Sequence, residues 1–346
     1  MALLRIDGLK IHYRTRQGVV QAVDGVTFDL KEGEKLGLVG ESGCGKSTIA
    51  KAILRILPEN ARITAGHIYL KDADILPMGI DALQGIRWKK ISMISQSAMN
   101  ALNPVYRIEK QIVEILEKRG GLPKREALSK AAALFELVGL DPHRLRDFPH
   151  QFSGGMRQRA VIAMALALNP DLIIADEPTT ALDVITQDQV LQNIYELQAE
   201  LNKSMILITH DISIVAEGCN KIAVMYAGKL MEFGDIKAVF HSPCNPYTIG
   251  LQNAFPSLQG PKKDLISIPG YPPSLMGLIK GCRFYRRCPF YIPRCGEEEP
   301  AMVRISESHF AACHRVGKAE EFRRQGVRKE TWEQRKNSLR MMDGGK

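Results

Sequence analysis

The stretch "LGLVGESGCGKSTIAKAIL" constrains this chain more than any other. The apolar run from Leu36 to Val39 predicts a buried strand, and the apolar residues Ile49, Ala52, Ile53 and Ile56 predict a helix. Between them come Gly40, four residues, Gly45, Lys46 and Ser47. Strand, glycine-rich loop and helix form the context that a phosphate cradle requires. Gly40, Gly43 and Gly45 let backbone N–H groups converge on an anion, and Ser42, Cys44 and Thr48 complete the loop. Cys44 stands at a variable position and reads as a tolerated small residue. The helix N-terminus adds partial positive charge. Lys46 is expected to reach the β- and γ-phosphates, and the Ser47 hydroxyl to bind Mg²⁺.

Such a loop needs an acidic strand beside it. "DLIIADEP", at 171–178, supplies an apolar run ending in Asp176 and Glu177. Asp176 is expected to hold Mg²⁺ through water, and Glu177 to polarise an attacking water as a general base. "QFSGGMRQR" opens a helix with Ser153, Gly154 and Gly155, which makes a second anion-binding helix start. Two phosphate cradles in one chain make sense when two chains face each other. "LITHDISIV" ends an apolar strand at His210, which follows its strand as Asp176 does and is expected at the same phosphate edge.

Taken in order, these motifs resemble the nucleotide-binding subunit of an ABC transporter over roughly residues 3 to 240. Residues 40–48 match its Walker A loop, 171–177 Walker B and 153–157 the signature loop. Gln96, in "MISQSAMNALNPV", matches the Q-loop, Asp183 closes the "ALD" of the D-loop, and His210 matches the switch histidine. Tyr13 sits where the family places an aromatic ring against adenine. The resemblance implies ATP as substrate and Mg²⁺ held through Ser47, Gln96 and Asp176. It also implies an α/β P-loop ATPase core with an N-terminal antiparallel β edge. Phe152 and Met156 stand where the commonest signature has Leu and Gln.

"FPHQFSGGMRQRAVIAMAL", "SMISQSAMNALNPV" and "SPCNPYTIGLQNAFPSL" resemble more narrowly the ATPases of oligopeptide and dipeptide importers. Asn245 replaces the usual His before Pro-Tyr-Thr. Nickel and some oligosaccharide importers look the same at this level. The family implies two membrane permeases, a second and paralogous ATPase, and an extracytoplasmic solute-binding protein, with this subunit peripheral on the cytoplasmic face. A rival class, ABC-type ATPases acting on DNA or ribosomes, carries two ATPase halves or a very long coiled coil. This chain has one P-loop, one signature and no sustained heptads, so no nucleic-acid partner is expected.

Composition agrees with that reading. The sequence contains no run of 18 apolar residues and no secretory leader, which points to the cytosol. The net charge of +9 is mild for 346 residues, and part of it lies in the tail after residue 313, read as a solvated face. The ATPase domain is expected over 1–240. Its mostly helical insert, at about 97–160, is marked by the periodicity of "RIEKQIVEILEKRG" and "KREALSKAAALFELVGL". Residues 241–346 are expected to form a proline-rich, loop-like extension.

That extension carries Cys282, Cys288, Cys295 and Cys313, four cysteines in 32 residues against three in the other 314. A cytosolic setting disfavours disulfides. Structural zinc usually takes its ligands as close pairs, and no such pair is present. An iron–sulfur cluster tolerates wider spacing, and Arg283, Arg286, Arg287, Arg294 and Arg315 suit its negative charge. Zinc, with His314 as a substitute ligand, and free thiols remain alternatives. The importer resemblance implies a [4Fe–4S] site with a structural role, outside the ATPase core.

Overall fold

The computed structural model describes residues 2–95, 101–180, 182–254, 265–277 and 279–343. The chain separates into two compact units, one of residues 31–34 and 77–208, the other of residues 2–30, 35–76 and 209–346. Gln96 and Ala181 lie outside the described residues. Among the described residues no helix is long and apolar enough to cross a membrane.

The unit of 77–208 is built on three strands, β6 (Ile91–Ile94), β7 (Leu172–Asp176) and β8 (Ser204–Thr209). They run parallel in the order β6-β7-β8, with Ile94 opposite Ala175 and Asp176 opposite Ile208. Every residue of β7 is buried, as a parallel strand covered on both faces requires. The 3.6-residue pattern read from sequence becomes the helices Ile108–Lys118 and Lys124–Leu137. Ile108, Ile112 and Leu116 face inward on the first, and Ala127, Ala131 and Phe135 on the second.

The other unit contains a four-stranded sheet in the order β2-β1-β4-β5. Its strands are β1 (Ala2–Thr15), β2 (Gly18–Lys31), β4 (Ala61–Leu70) and β5 (Ala73–Asp74). β1 and β4 pair antiparallel from Leu4↔Leu70 to Tyr13↔Ala61, as expected for the N-terminal edge. The same unit holds β3 (Lys35–Val39), parallel to β9 (Lys221–Tyr226), with β10 (Lys229–Asp235) antiparallel to β9.

The C-terminal segment is more ordered than its prolines imply. β12 (His309–Ala312) pairs antiparallel with β10, and β11 (Met302–Ser306) with β12, so the segment extends this sheet. It also forms the helices Pro246–Asn253, Ala319–Gly326 and Lys329–Asp343. Two of its prolines stand at the start of these elements. Pro246 is the first residue of its helix, and Pro300 stands just before β11. At both places a missing N–H costs nothing.

Asn245 ties the segment down. Its side-chain oxygen accepts from Tyr247 N at 2.9 Å and caps the helix, while Nδ2 donates to Met231 O at 3.3 Å and to Ala312 O at 2.7 Å. Its backbone N–H donates to buried Glu232 at 3.0 Å. Asn245→Ala removes the cap and leaves two buried carbonyls without this donor. It should cost about 2–3 kcal/mol, read as a lower midpoint in chemical denaturation. An unchanged midpoint would refute this role.

Candidate active site

The phosphate loop takes the shape its glycines allow. Gly40 and Gly45 adopt φ of 150° and 106°, conformations that L side chains rarely adopt. Space forbids side chains as well: a Cβ on Gly40 would lie 2.0 Å from Met225 O, and one on Gly45 2.4 Å from Ala22 O. Gly45 is the N-cap of helix Lys46–Ile53, so the first free N–H groups of that helix open into the loop. Ser42 and Gly43 are exposed at the tip, and Ser47 is half-buried. Lys46 is buried, its Nζ donating to Gly40 O at 2.7 Å and Glu41 O at 3.2 Å. Tyr13 reaches the same helix, its hydroxyl sharing a hydrogen bond with Thr48 Oγ1 at 3.2 Å. Burial pushes the Cys44 thiol up, so it is neutral at physiological pH and adds no charge to the cradle. His210 is exposed just before Asp211, which caps helix Ile212–Gly218.

In the other unit, buried Asp176 ends β7 and Glu177 follows it at φ 46°. A positive φ on a glutamate is strained backbone. It is held by Glu177 N–H donating to Ile208 O at 2.9 Å, and Glu177 Oε2 accepts from Thr180 Oγ1 at 3.1 Å. Ser153 caps helix Gly154–Leu166, its Oγ accepting from Met156 N at 3.3 Å. The glycines here allow close approach: a Cβ on Gly155 would lie 2.7 Å from Thr186 Cγ2, and one on Gly154 3.2 Å from Leu182 Cδ2. The Phe152 departure has a packing reason, since its ring is buried with its centroid 6.4 Å from that of Phe135. Asp183 caps helix Val184–Glu200, accepting from Thr186 Oγ1 at 2.7 Å and Thr186 N at 2.9 Å. Those bonds hold its carboxyl below the ordinary range. At the start of that helix Val184 and Ile185 are 82% and 73% exposed, an apolar step left uncovered by this chain. Gln96 falls outside the described residues.

Cys282, Cys288, Cys295 and Cys313 all line one small cavity, together with Phe284, Phe290 and Arg315. Burial pushes the Cys282 thiol up to about 12 and raises Cys288 and Cys313 as well. Among the described residues, no three of the four sulfurs lie mutually within 4.8 Å. His314 also borders the cavity, with Nε2 engaged by Glu298 O at 2.9 Å. A separate buried trio, Glu232, Cys244 and His309, does cluster within 4.8 Å. There the carboxylate is already filled by Cys244 N at 2.7 Å, Asn245 N at 3.0 Å and His309 Nε2 at 2.7 Å.

Sequence reasoning missed two residues at the phosphate loop. Glu41 N–H donates to Tyr247 OH at 3.0 Å, and the Glu41 carboxylate accepts from Arg287 Nη1 at 3.0 and 2.8 Å. The partners are more than 200 positions apart in the chain, so no local pattern marks them.

A family model described as "ABC transporter" matches residues 23–180, and one for the "oligopeptide/dipeptide transporter, C-terminal region" matches 231–295. The oligopeptide transport ATP-binding protein OppD of Bacillus subtilis is 44% identical over 89% of this chain and 87% of its own length. The Escherichia coli protein of the same description is 42% identical over 90% and 93%. The dipeptide transport ATP-binding protein DppD of Lactococcus lactis is 43% identical over 89% of each. A solved dimeric ATP-binding cassette in a post-hydrolysis state, bound to ADP and Pi, is 28% identical with a TM-score of 0.60, covering 67% of this chain and 98% of that one. The glycine loop, the acidic strand end and the capped Ser-Gly-Gly helix thus come with relatives matching along nearly the whole chain, and the chain belongs to the ATP-binding subunits of oligopeptide and dipeptide ABC transporters.

Proposed function

We propose that this chain hydrolyses ATP to drive import of di- or oligopeptides through an ABC transporter complex. One observation carries the peptide assignment: the match extends past the ATPase cassette into residues 231–295, which fit the family model described as the oligopeptide/dipeptide transporter C-terminal region. The triphosphate lies on the N–H groups of Gly40 to Thr48, with Lys46 on the β- and γ-phosphates and Tyr13 against adenine. Ser47, Gln96 and Asp176 are the residues that would hold Mg²⁺, which neutralises charge developing on the phosphates. Glu177 takes a proton from the attacking water, and His210 borders the γ-phosphate. Ser153, Gly154 and Gly155 receive the ATP of a facing ATPase chain, a paralogue, and Asp183 lines the same junction. The uncovered Val184 and Ile185 support such a junction. Val105 and Tyr106, 69% and 42% exposed, support a docking segment after Gln96 for the two permeases on the cytoplasmic face of the membrane. An extracytoplasmic binding protein delivers the peptide.

The four cysteines are read as ligands of a [4Fe–4S] cluster with a structural role. They surround a single cavity, and Arg315 on its lining would offset part of a cluster's negative charge. Tetrahedral zinc, with Zn–S near 2.3 Å, would hold its sulfurs within about 4 Å of one another, and no three of these thiols lie mutually within 4.8 Å.

Two measurements test these assignments. In the complex reconstituted with permeases and binding protein, peptide should stimulate ATP turnover, whereas nickel or oligosaccharide should not. Glu177→Gln should lower that turnover about 100-fold or more while ATP stays bound. Undiminished turnover would move the general base elsewhere. Anaerobically prepared chain should contain iron and sulfide at about four each per chain. One zinc and no sulfide would overturn the cluster.

A further inference from the structure

Arg287 immediately precedes Cys288, and its guanidinium is spent almost entirely on the phosphate loop and its support. It is buried, with Nε donating to Pro269 O at 2.8 Å and Nη2 to Ile268 O at 3.3 Å. Nη1 donates to both oxygens of Glu41, at 3.0 and 2.8 Å, and to Tyr226 OH at 3.1 Å. Glu41 is the residue after Gly40, and its own carbonyl accepts from Lys46 Nζ at 3.2 Å. The ion pair therefore grips the loop one residue from the glycine that turns it, beside the lysine that meets the phosphates.

A second path runs parallel. Phe284 lies in the turn between Cys282 and Cys288, and Cys288 N–H donates to its carbonyl at 3.0 Å. Its ring packs against Tyr226 and Tyr247, with centroids 5.2 and 5.3 Å away, and those two rings are 4.7 Å apart. All three are buried, and the Tyr247 hydroxyl accepts the Glu41 N–H. One arginine and three aromatic rings join the cysteine turn to the P-loop with no flexible segment between. Close-packed contacts of this kind transmit a displacement.

We propose that Arg287 is a positioning residue of the ATP site, and that through it the metal state of the four-cysteine turn sets how tightly the P-loop holds nucleotide. The second half rests on the cluster reading above; the first half does not. Bound metal fixes the 282–288 turn, the turn fixes Arg287 and Phe284, and these hold Glu41 so that the loop N–H groups stay aimed. Loss of the metal frees the turn and loosens that aim. The extension then serves as an assembly check, since a subunit lacking its metal centre holds ATP more weakly.

The test uses the full chain, purified anaerobically, in the assembled complex. Arg287→Gln should raise KM for ATP about tenfold, within the range for partners in one ion-pair network, with kcat within about twofold and iron content unchanged. Glu41→Gln should do the same, and the double variant should be no worse than either single one. Arg287→Lys should restore only part of the affinity, because the single nitrogen of an ammonium cannot meet Glu41, Pro269 O and Ile268 O together. Removing iron from the unsubstituted protein with a chelator should raise KM equally, and removing it from Arg287→Gln should add nothing. If Arg287→Gln does not fold, the Glu41→Gln protein with and without iron carries the same comparison. Unchanged KM in both single variants overturns the positioning role. A weakened Arg287→Gln beside an iron-free protein of normal KM overturns the metal coupling alone. A chain that never contains metal yet shows the non-additive pair refutes the cluster reading and leaves the positioning role standing.

Discussion

Backbone N–H groups can converge on a phosphate only where no side chain stands in the way, and that exclusion governs the architecture around residues 40–48. Gly40 and Gly45 are needed twice over, for their positive φ and because a Cβ would collide with Met225 O or Ala22 O. The collisions show that the loop is closed from outside by neighbouring strands. β9 must end where it does, and the β9–β10 turn must fold back so that Gly228 N–H can donate to Cys44 O at 3.0 Å. A loop so poor in side chains has little packing of its own and takes its rigidity from what surrounds it. Tyr247 and Arg287 supply that support, and both come from beyond residue 240.

The parts of the site that the sequence announces are those whose chemistry is local. A glycine loop between a strand and a helix, an apolar strand ending in Asp176-Glu177, and Ser153 before two glycines each fit within ten residues. The strand and helix assignments around them hold because burial on both faces gives β7 a continuous apolar run, while one-sided burial gives the insert helices their periodicity. What stays hidden is non-local. Nothing near Glu41 announces an arginine 246 positions later. Nothing beside Asn245 announces that it binds Met231, Tyr247 and Ala312, the first and last of them distant in the chain. The loop-like expectation for 241–346 is met only in part: among the described residues 265–293 form no helix or strand, whereas Pro246 opens a helix and β11 and β12 extend the sheet of β10. β11 is also exposed at every residue, so no apolar pattern marks it as a strand.

Charge is placed unevenly around the site. Arg283 and Arg287 are buried and each meets a carboxylate, Asp24 at 2.6 Å and Glu41 at 2.8 Å. Arg283 also donates to Ala227 O in the β9–β10 turn. Replacing such pairs with apolar groups is often neutral or stabilising, so they are poor devices for stability alone. They are good devices for fixing one geometry, because a rigid guanidinium that meets a carboxylate with one nitrogen and backbone carbonyls with others tolerates little displacement. Both arginines lie in the turn that begins at Cys282, and both reach residues at the edge of the phosphate loop or the strands that close it. The cysteine turn and the loop are thus registered to each other by groups that bind well in one arrangement only.

That registration changes what an appended segment means for an ATPase of this class. An extension that merely covered the sheet edge needs apolar contacts, and β12 against β10 provides them. Directing buried guanidinium groups at the P-loop adds a desolvation cost for which edge covering offers no compensation. The compensation is specific. Glu41 carries the loop carbonyl that receives Lys46, so a force on its carboxylate is felt where the phosphates bind. Holding Glu41 from Tyr247 and Arg287 ties the shape of the phosphate loop to a segment beyond residue 240, so the loop is fully braced only when that segment has folded.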